Sequence, residues 1–118
     1  MYRDEILDLY RNPRNLGKIQ NPEITEEGDN PSCGDHTQIY ANLKNEKISE
    51  IKHKTEACTI CTASISILSE EVKGLSKDEI LGLDRDWMLE KLGIEVSPMR
   101  MKCALLGLKT LQKGVKEE

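Results

Sequence analysis

The sequence predicts an α+β domain, a small antiparallel sheet with helices packed on one face. Two observations carry this: strand-like alternation is confined to the first half of the chain, and helical periodicity dominates the second. No Pro/Gly/Ser-rich linker divides them, so residues 1–118 are read as a single domain.

The elements follow in order. Residues 2–10 place Ile6, Leu7, Leu9 and Tyr10 among charged residues, a short amphipathic helix that Asn12-Pro13 stops. Three Asn-Pro steps, at 12–13, 21–22 and 30–31, with Gly17 and Gly28, make the next stretch mostly loop with at most one short strand. Residues 36–44 and 47–55 alternate through Ile39, Ala41 and Leu43 and then Ile48 and Ile51, a hairpin turning at Asn45-Glu46. Cys61, Ile65, Leu68 and Val72 then recur at helical spacing, predicting a sheet-packing helix over 59–73 that Gly74 ends. Ser76 with Glu79 is a capping box, and the helix it opens is interrupted near Gly82 and Gly93. Ser97-Pro98 starts the last helix, which runs to about Gly114 with Met101, Ala104, Leu105, Leu108 and Leu111 on one face.

Composition excludes several functions. A net charge of −4 and only 3% aromatic residues argue against nucleic acid. The charged start and the lack of any long apolar run argue against a signal peptide or membrane span, so a cytoplasmic protein is expected. In that reducing compartment four cysteines are metal ligands, sulfur carriers or core residues rather than disulfides. With 37% apolar residues and no Phe, the core is thin, and a bound metal would add to a modest stability.

The cysteines differ in setting. Cys33 lies in Asn30-Pro31-Ser32-Cys33-Gly34-Asp35, an exposed turn with a carboxylate two positions on. Cys58 stands at a strand–helix junction, where free backbone N–H groups stabilise a thiolate. Cys103 falls off the centre of the last helix's apolar face, with Arg100 and Lys102 nearby to lower its pKa. Cys61 forms a C-x-x-C with Cys58 but shares the stripe of Ile65 and Leu68, so it is read as core. His36 and His53 sit on the hairpin and are read as surface residues outside any metal site. Three thiolates and one carboxylate suit either a four-coordinate zinc ion or the four protein ligands of a 2Fe-2S cluster, and this leaves the metal open.

Taken together, Tyr2, Asn12-Pro13-Arg14-Asn15-Leu16-Gly17, Asn30-Pro31-Ser32-Cys33-Gly34-Asp35, Ala57-Cys58 before Thr62-Ala63-Ser64-Ile65-Ser66, and Lys102-Cys103-Ala104 resemble the landmarks of the IscU/SufU/NifU-N-terminal family. The resemblance spans nearly the whole chain. It implies three antiparallel strands and several helices, and it carries the family's ligand positions onto Cys33, Asp35, Cys58 and Cys103, with Asp35 the labile one. It also implies a scaffold, not an enzyme, that accepts sulfur from a cysteine desulfurase at Cys103 or Cys58, assembles a 2Fe-2S cluster and passes it to acceptor apoproteins. Tyr2 matches a position associated with self-association, which implies a homodimer.

Two departures qualify the resemblance. Lys102 stands where the IscU branch has histidine, as in the SufU branch, but the stretch from Cys58 to Cys103 is shorter than that branch has. Val96-Ser97-Pro98-Met99-Arg100 replaces the Leu-Pro-Pro-Val-Lys motif that a chaperone reads, which argues against chaperone-driven release. The alternative reading is a zinc-dependent sulfur acceptor of the SufU kind, with Zn2+ on the same four ligands. A structural zinc domain and a C-x-x-C reductase built on Cys58 and Cys61 fit less well.

Overall fold

The computed structural model describes residues 4–117; Tyr2 lies outside them. The chain runs α1 (Asp4–Arg11), β1 (Ile24–Asn30), β2 (Asp35–Lys44), β3 (Lys47–Glu56), α2 (Thr59–Glu71), α3 (Lys77–Leu81), α4 (Arg85–Leu92), a single 3-10 turn (Pro98–Arg100) and α5 (Met101–Glu117). After α1, the strands precede the remaining helices and give the expected α+β architecture. Among the described residues, no helix is long and apolar enough to cross a membrane.

The three strands form one antiparallel sheet in the order β1-β2-β3. Asn45 and Glu46, at φ 55° and 65°, make the two-residue turn between β2 and β3. Positive φ at both positions matches the right-handed twist of the strands they join. β1 is the one strand expected between Asn12 and Pro31. Its inward positions are Ile24, Glu26, Gly28 and Asn30, with a single apolar side chain among them, so pairing with β2 and cover from α5 make it a strand.

Much of the remaining loop is stitched to the sheet. Gly17 N–H donates to the His53 carbonyl at 3.0 Å and His53 N–H to the Asn15 carbonyl at 3.0 Å, while Ile48 N–H donates to the Leu75 carbonyl at 2.9 Å. These bonds cover the free edge of β3, which would otherwise present unpaired backbone groups.

Two helix ends are as the sequence signals them, whereas α2 stops at Glu71, short of Gly74. Ser76 and Glu79 form both bonds of the capping box, and Gly93 closes α4 at φ 68°. The helix that covers the sheet, however, is α5. It crosses β1 and β2, while α2 lies mainly against α1 and α5. α5 is therefore enclosed by the sheet on one side and by α2, α3 and α4 on the other. Its buried residues include Cys103, Leu106, Thr110 and Gly114 beyond the apolar face expected, and it continues past Gly114.

Candidate metal centre

The centre forms where three separated pieces of chain meet. The first is the turn at residues 31–34, closed by Cys33 N–H donating to the Asn30 carbonyl at 3.1 Å and Gly34 N–H to the Pro31 carbonyl at 3.3 Å. Gly34 takes φ 72°, which glycine adopts without strain. The turn leaves Cys33 exposed and starts β2 at Asp35, which is 2% exposed and faces the core.

The second piece is the start of α2. Cys58 is its N-cap residue, and its Sγ accepts from Cys61 N–H at 3.5 Å. The Cys58 N–H itself donates to Asp35 Oδ1 at 2.9 Å, so strand and helix are joined through the carboxylate. The third piece is the first turn of α5, which carries Cys103. The ligand atoms of Cys33, Asp35 and Cys103 all lie within 4.8 Å of one another. Cys58 stands beside this group, near enough that its thiol helps raise the Cys103 pKa.

Cys103 departs from expectation. It is wholly buried, because α5 is covered on two sides, and burial pushes its thiol up, helped by hydrogen bonds with Asp35, Cys33 and Cys58 and by the Cys58 charge. The net shift is upward, opposite to the lowering expected from Arg100 and Lys102. Cys61 is core as read: it is fully buried, and burial with the neighbouring Asp35 charge raises its thiol as well. It remains outside the donor group.

The histidines separate. His36 is half-buried, and its Nδ1 is bonded to Asp29 Oδ1 at 2.6 Å. His53 is 1% exposed, which corrects the surface reading; the loop at residues 14–17 lies over β3 and covers it. Neither joins the donor group.

One residue of the centre is absent from the sequence reading except as turn punctuation. Asn30, 6% exposed, donates from Nδ2 to Asp35 Oδ2 at 3.3 Å and to Cys103 Sγ at 3.7 Å, and its Oδ1 accepts from Ser32 Oγ at 3.0 Å. The available signal was register: the pairing of β1 with β2 sets Asn30 directly opposite Asp35.

The donor set tests well for a metal. Thiolate sulfurs beside one carboxylate, held by separate elements and only partly open to solvent, suit zinc or iron–sulfur chemistry and would not hold a hard cation such as magnesium. Residues 1–117 match the NifU-like N terminal domain family. The chain belongs to this family.

The chain is also similar along its length to several known proteins. It is 35% identical over 115 residues to the iron-sulfur cluster assembly scaffold protein IscU 1 of Archaeoglobus fulgidus, covering 98% of this chain and 74% of that one. It is 33% identical over 135 residues to the zinc-dependent sulfurtransferase SufU of Bacillus subtilis, covering 100% and 91%. Among solved structures, a putative iron-sulfur cluster assembly scaffold protein for the SUF system from Fervidobacterium islandicum superposes with a TM-score of 0.83 at 29% identity, covering 97% of this chain and 96% of the other. The fold of this family member is that of its relatives.

Proposed function

We propose that this chain is a scaffold on which a 2Fe-2S cluster is assembled and from which it is passed to acceptor apoproteins, with Cys33, Asp35, Cys58 and Cys103 as the protein ligands. The observation that carries the reading is the convergence of Cys33, Asp35 and Cys103 ligand atoms within 4.8 Å, with Cys58 alongside at the head of α2. The names of the IscU relatives agree with it. The cluster is cargo: nothing turns over on this chain alone, and a cysteine desulfurase supplies the sulfur.

The residues divide the work by exposure. Cys33, the exposed thiol, is the one an incoming desulfurase persulfide meets, which favours it over Cys103 or Cys58 as first acceptor. Its thiolate attacks the outer sulfur, forming a Cys33 persulfide and returning the desulfurase cysteine as a thiolate. Cys103 and Cys58 lie deeper and hold rather than receive. Asp35 is the exchangeable ligand, since both its oxygens already accept hydrogen bonds that compete with a metal.

A second reading has an observation of its own, the likeness to a zinc-dependent sulfurtransferase over the whole chain. The same four residues would hold zinc, which supplies thiolate activation without redox chemistry.

Anaerobic reconstitution with Fe2+, cysteine and a desulfurase separates the two. The scaffold reading expects visible absorption, equal iron and acid-labile sulfide, and loss of both in Cys103→Ser. A colourless protein that keeps zinc and speeds the desulfurase would replace it with the sulfur-acceptor reading.

A further inference from the structure

We infer that Asn30 is the positioning residue of the centre: its amide holds Asp35 and Cys103 in ligand orientation and sets how long a bound metal or cluster stays. The inference rests on the ligand assignment proposed above.

The geometry converges on one side chain. Asn30 ends β1 opposite Asp35, and its backbone carbonyl closes the turn that carries Cys33. Its Nδ2 donates in two directions, to Asp35 Oδ2 at 3.3 Å and Cys103 Sγ at 3.7 Å. The orientation of the amide is fixed by these partners. An ionised carboxylate only accepts, so a flipped amide would set oxygen against oxygen at Asp35. The Ser32 hydroxyl, 3.0 Å from Oδ1, then braces the other end from within the turn. One buried amide thus links the Cys33 turn, the start of β2 and the first turn of α5.

Two consequences follow for a metal. Cys103 and Asp35 meet it with their lone pairs already aimed, and outer-shell partners of this kind typically change metal affinity about 10- to 100-fold. The N–H groups also draw charge from the sulfur and from Asp35 Oδ2. Asp35 Oδ1 is held in turn by the Cys58 N–H at 2.9 Å, so each carboxylate oxygen is shared between a hydrogen bond and the metal. Asn30 therefore steadies Cys103 while keeping Asp35 exchangeable.

The test uses Co2+ as the probe, because its thiolate charge-transfer and ligand-field bands report sulfur ligation and coordination number directly. Asn30→Ala and the near-isosteric Asn30→Leu are compared with wild type, Ser32→Ala and Cys103→Ser, with far-UV circular dichroism confirming the fold of each. We expect both Asn30 variants to bind Co2+ about 10-fold more weakly or worse. Their charge-transfer band should shift, and cobalt should pass to a chelator faster; Ser32→Ala, which keeps both donors, should lie between them and wild type. Unchanged bands and release rates in folded Asn30 variants would overturn the role of Asn30 while leaving the ligands in place. Wild type and Cys103→Ser binding Co2+ alike would instead overturn the ligand assignment, and this inference with it.

Discussion

His53 is held neutral by its surroundings. Nε2 lies 2.8 Å from the Arg14 carbonyl, which can only accept, so Nε2 carries the proton and Nδ1 accepts from the Thr55 hydroxyl at 2.8 Å. Thr37 Oγ1 continues the chain at 2.9 Å. Burial pushes the His53 pKa down, only partly offset by the bond to Arg14. In the unfolded chain the ring titrates near 6.5, so between that value and the lower folded one the unfolded state binds more protons. Stability must then fall as pH drops below about 6.5, with a slope from this group of at most about 1.4 kcal/mol per pH unit. His36 works in the opposite sense. Its hydrogen bond to Asp29 raises its pKa, so its contribution is present at low pH and lost as pH rises through the folded value, and its exposure keeps that contribution small. Urea unfolding of wild type, His53→Gln and His36→Gln at pH 7 and pH 5 should show the acid loss reduced only in His53→Gln; equal losses in all three would remove His53 as the source. Neither the burial of His53 nor that of Cys103 was readable from the sequence, because both depend on segments distant in the chain, the loop at 14–17 and the two-sided cover of α5.

At the scale of elements, the contact that sets the centre is α5 against β1. Gly28 of β1 sits under Thr110: a Cβ there would collide with Thr110 Oγ1 and come within 3.2 Å of Leu106 Cδ1. Thr110 cannot turn away cheaply, since its hydroxyl donates to the Leu106 carbonyl at 2.8 Å. Gly28→Ala should therefore destabilise by about 1–3 kcal/mol, the usual cost of overpacking. Because β1 ends at Asn30 and α5 begins beside Cys103, lifting one off the other should also weaken Co2+ binding. Gly107→Ala, which meets Ile65 Cγ1 at 2.5 Å on the opposite side of α5, has a partial offset of about 1 kcal/mol from better helix propensity. It should lower stability less and disturb the centre less; the reverse order in denaturation midpoints would show that α2, not β1, governs the placement of α5. The elements themselves were largely legible. The Asn45-Glu46 turn, the Ser76 cap and the Gly93 stop are local chemistry, and local chemistry is what a sequence displays. β1 was less so, since Glu26, Glu27 and Gly28 gain strand character only from pairing and cover. The turn at 31–34 and the place of Cys58 at a helix start were readable, whereas the hydrogen bonds of Asn30 to Asp35 and Cys103 required the register.

For the whole molecule, the proposed ligands lie far apart in sequence: Cys33 and Asp35 at the start of β2, Cys58 after β3, and Cys103 in the last helix. A metal bound by all of them would tie the sheet, α2 and α5 together, and the unfolded chain offers no such site. Metal binding is then folding free energy. At free metal 100-fold above its dissociation constant the added stability is about 2.7 kcal/mol. For a chain of this size each kcal/mol moves the melting temperature by roughly 4 °C, so a rise of roughly 10 °C is expected. The effect should also depend on pH. Burial holds the Cys103 thiol protonated in the free protein, and ligation requires it to lose that proton, so metal should stabilise more at pH 8 than at pH 6.5. Thermal melts with zinc, with a chelator and with neither, at both pH values, measure this directly. Wild type should rise with zinc and fall back on chelation, Cys103→Ser should respond weakly at either pH, and Cys61→Ser should keep the response at reduced baseline stability. A zinc response that survives Cys103→Ser, or disappears with Cys61→Ser in a folded protein, would move the metal away from the mouth formed by the turn, α2 and α5.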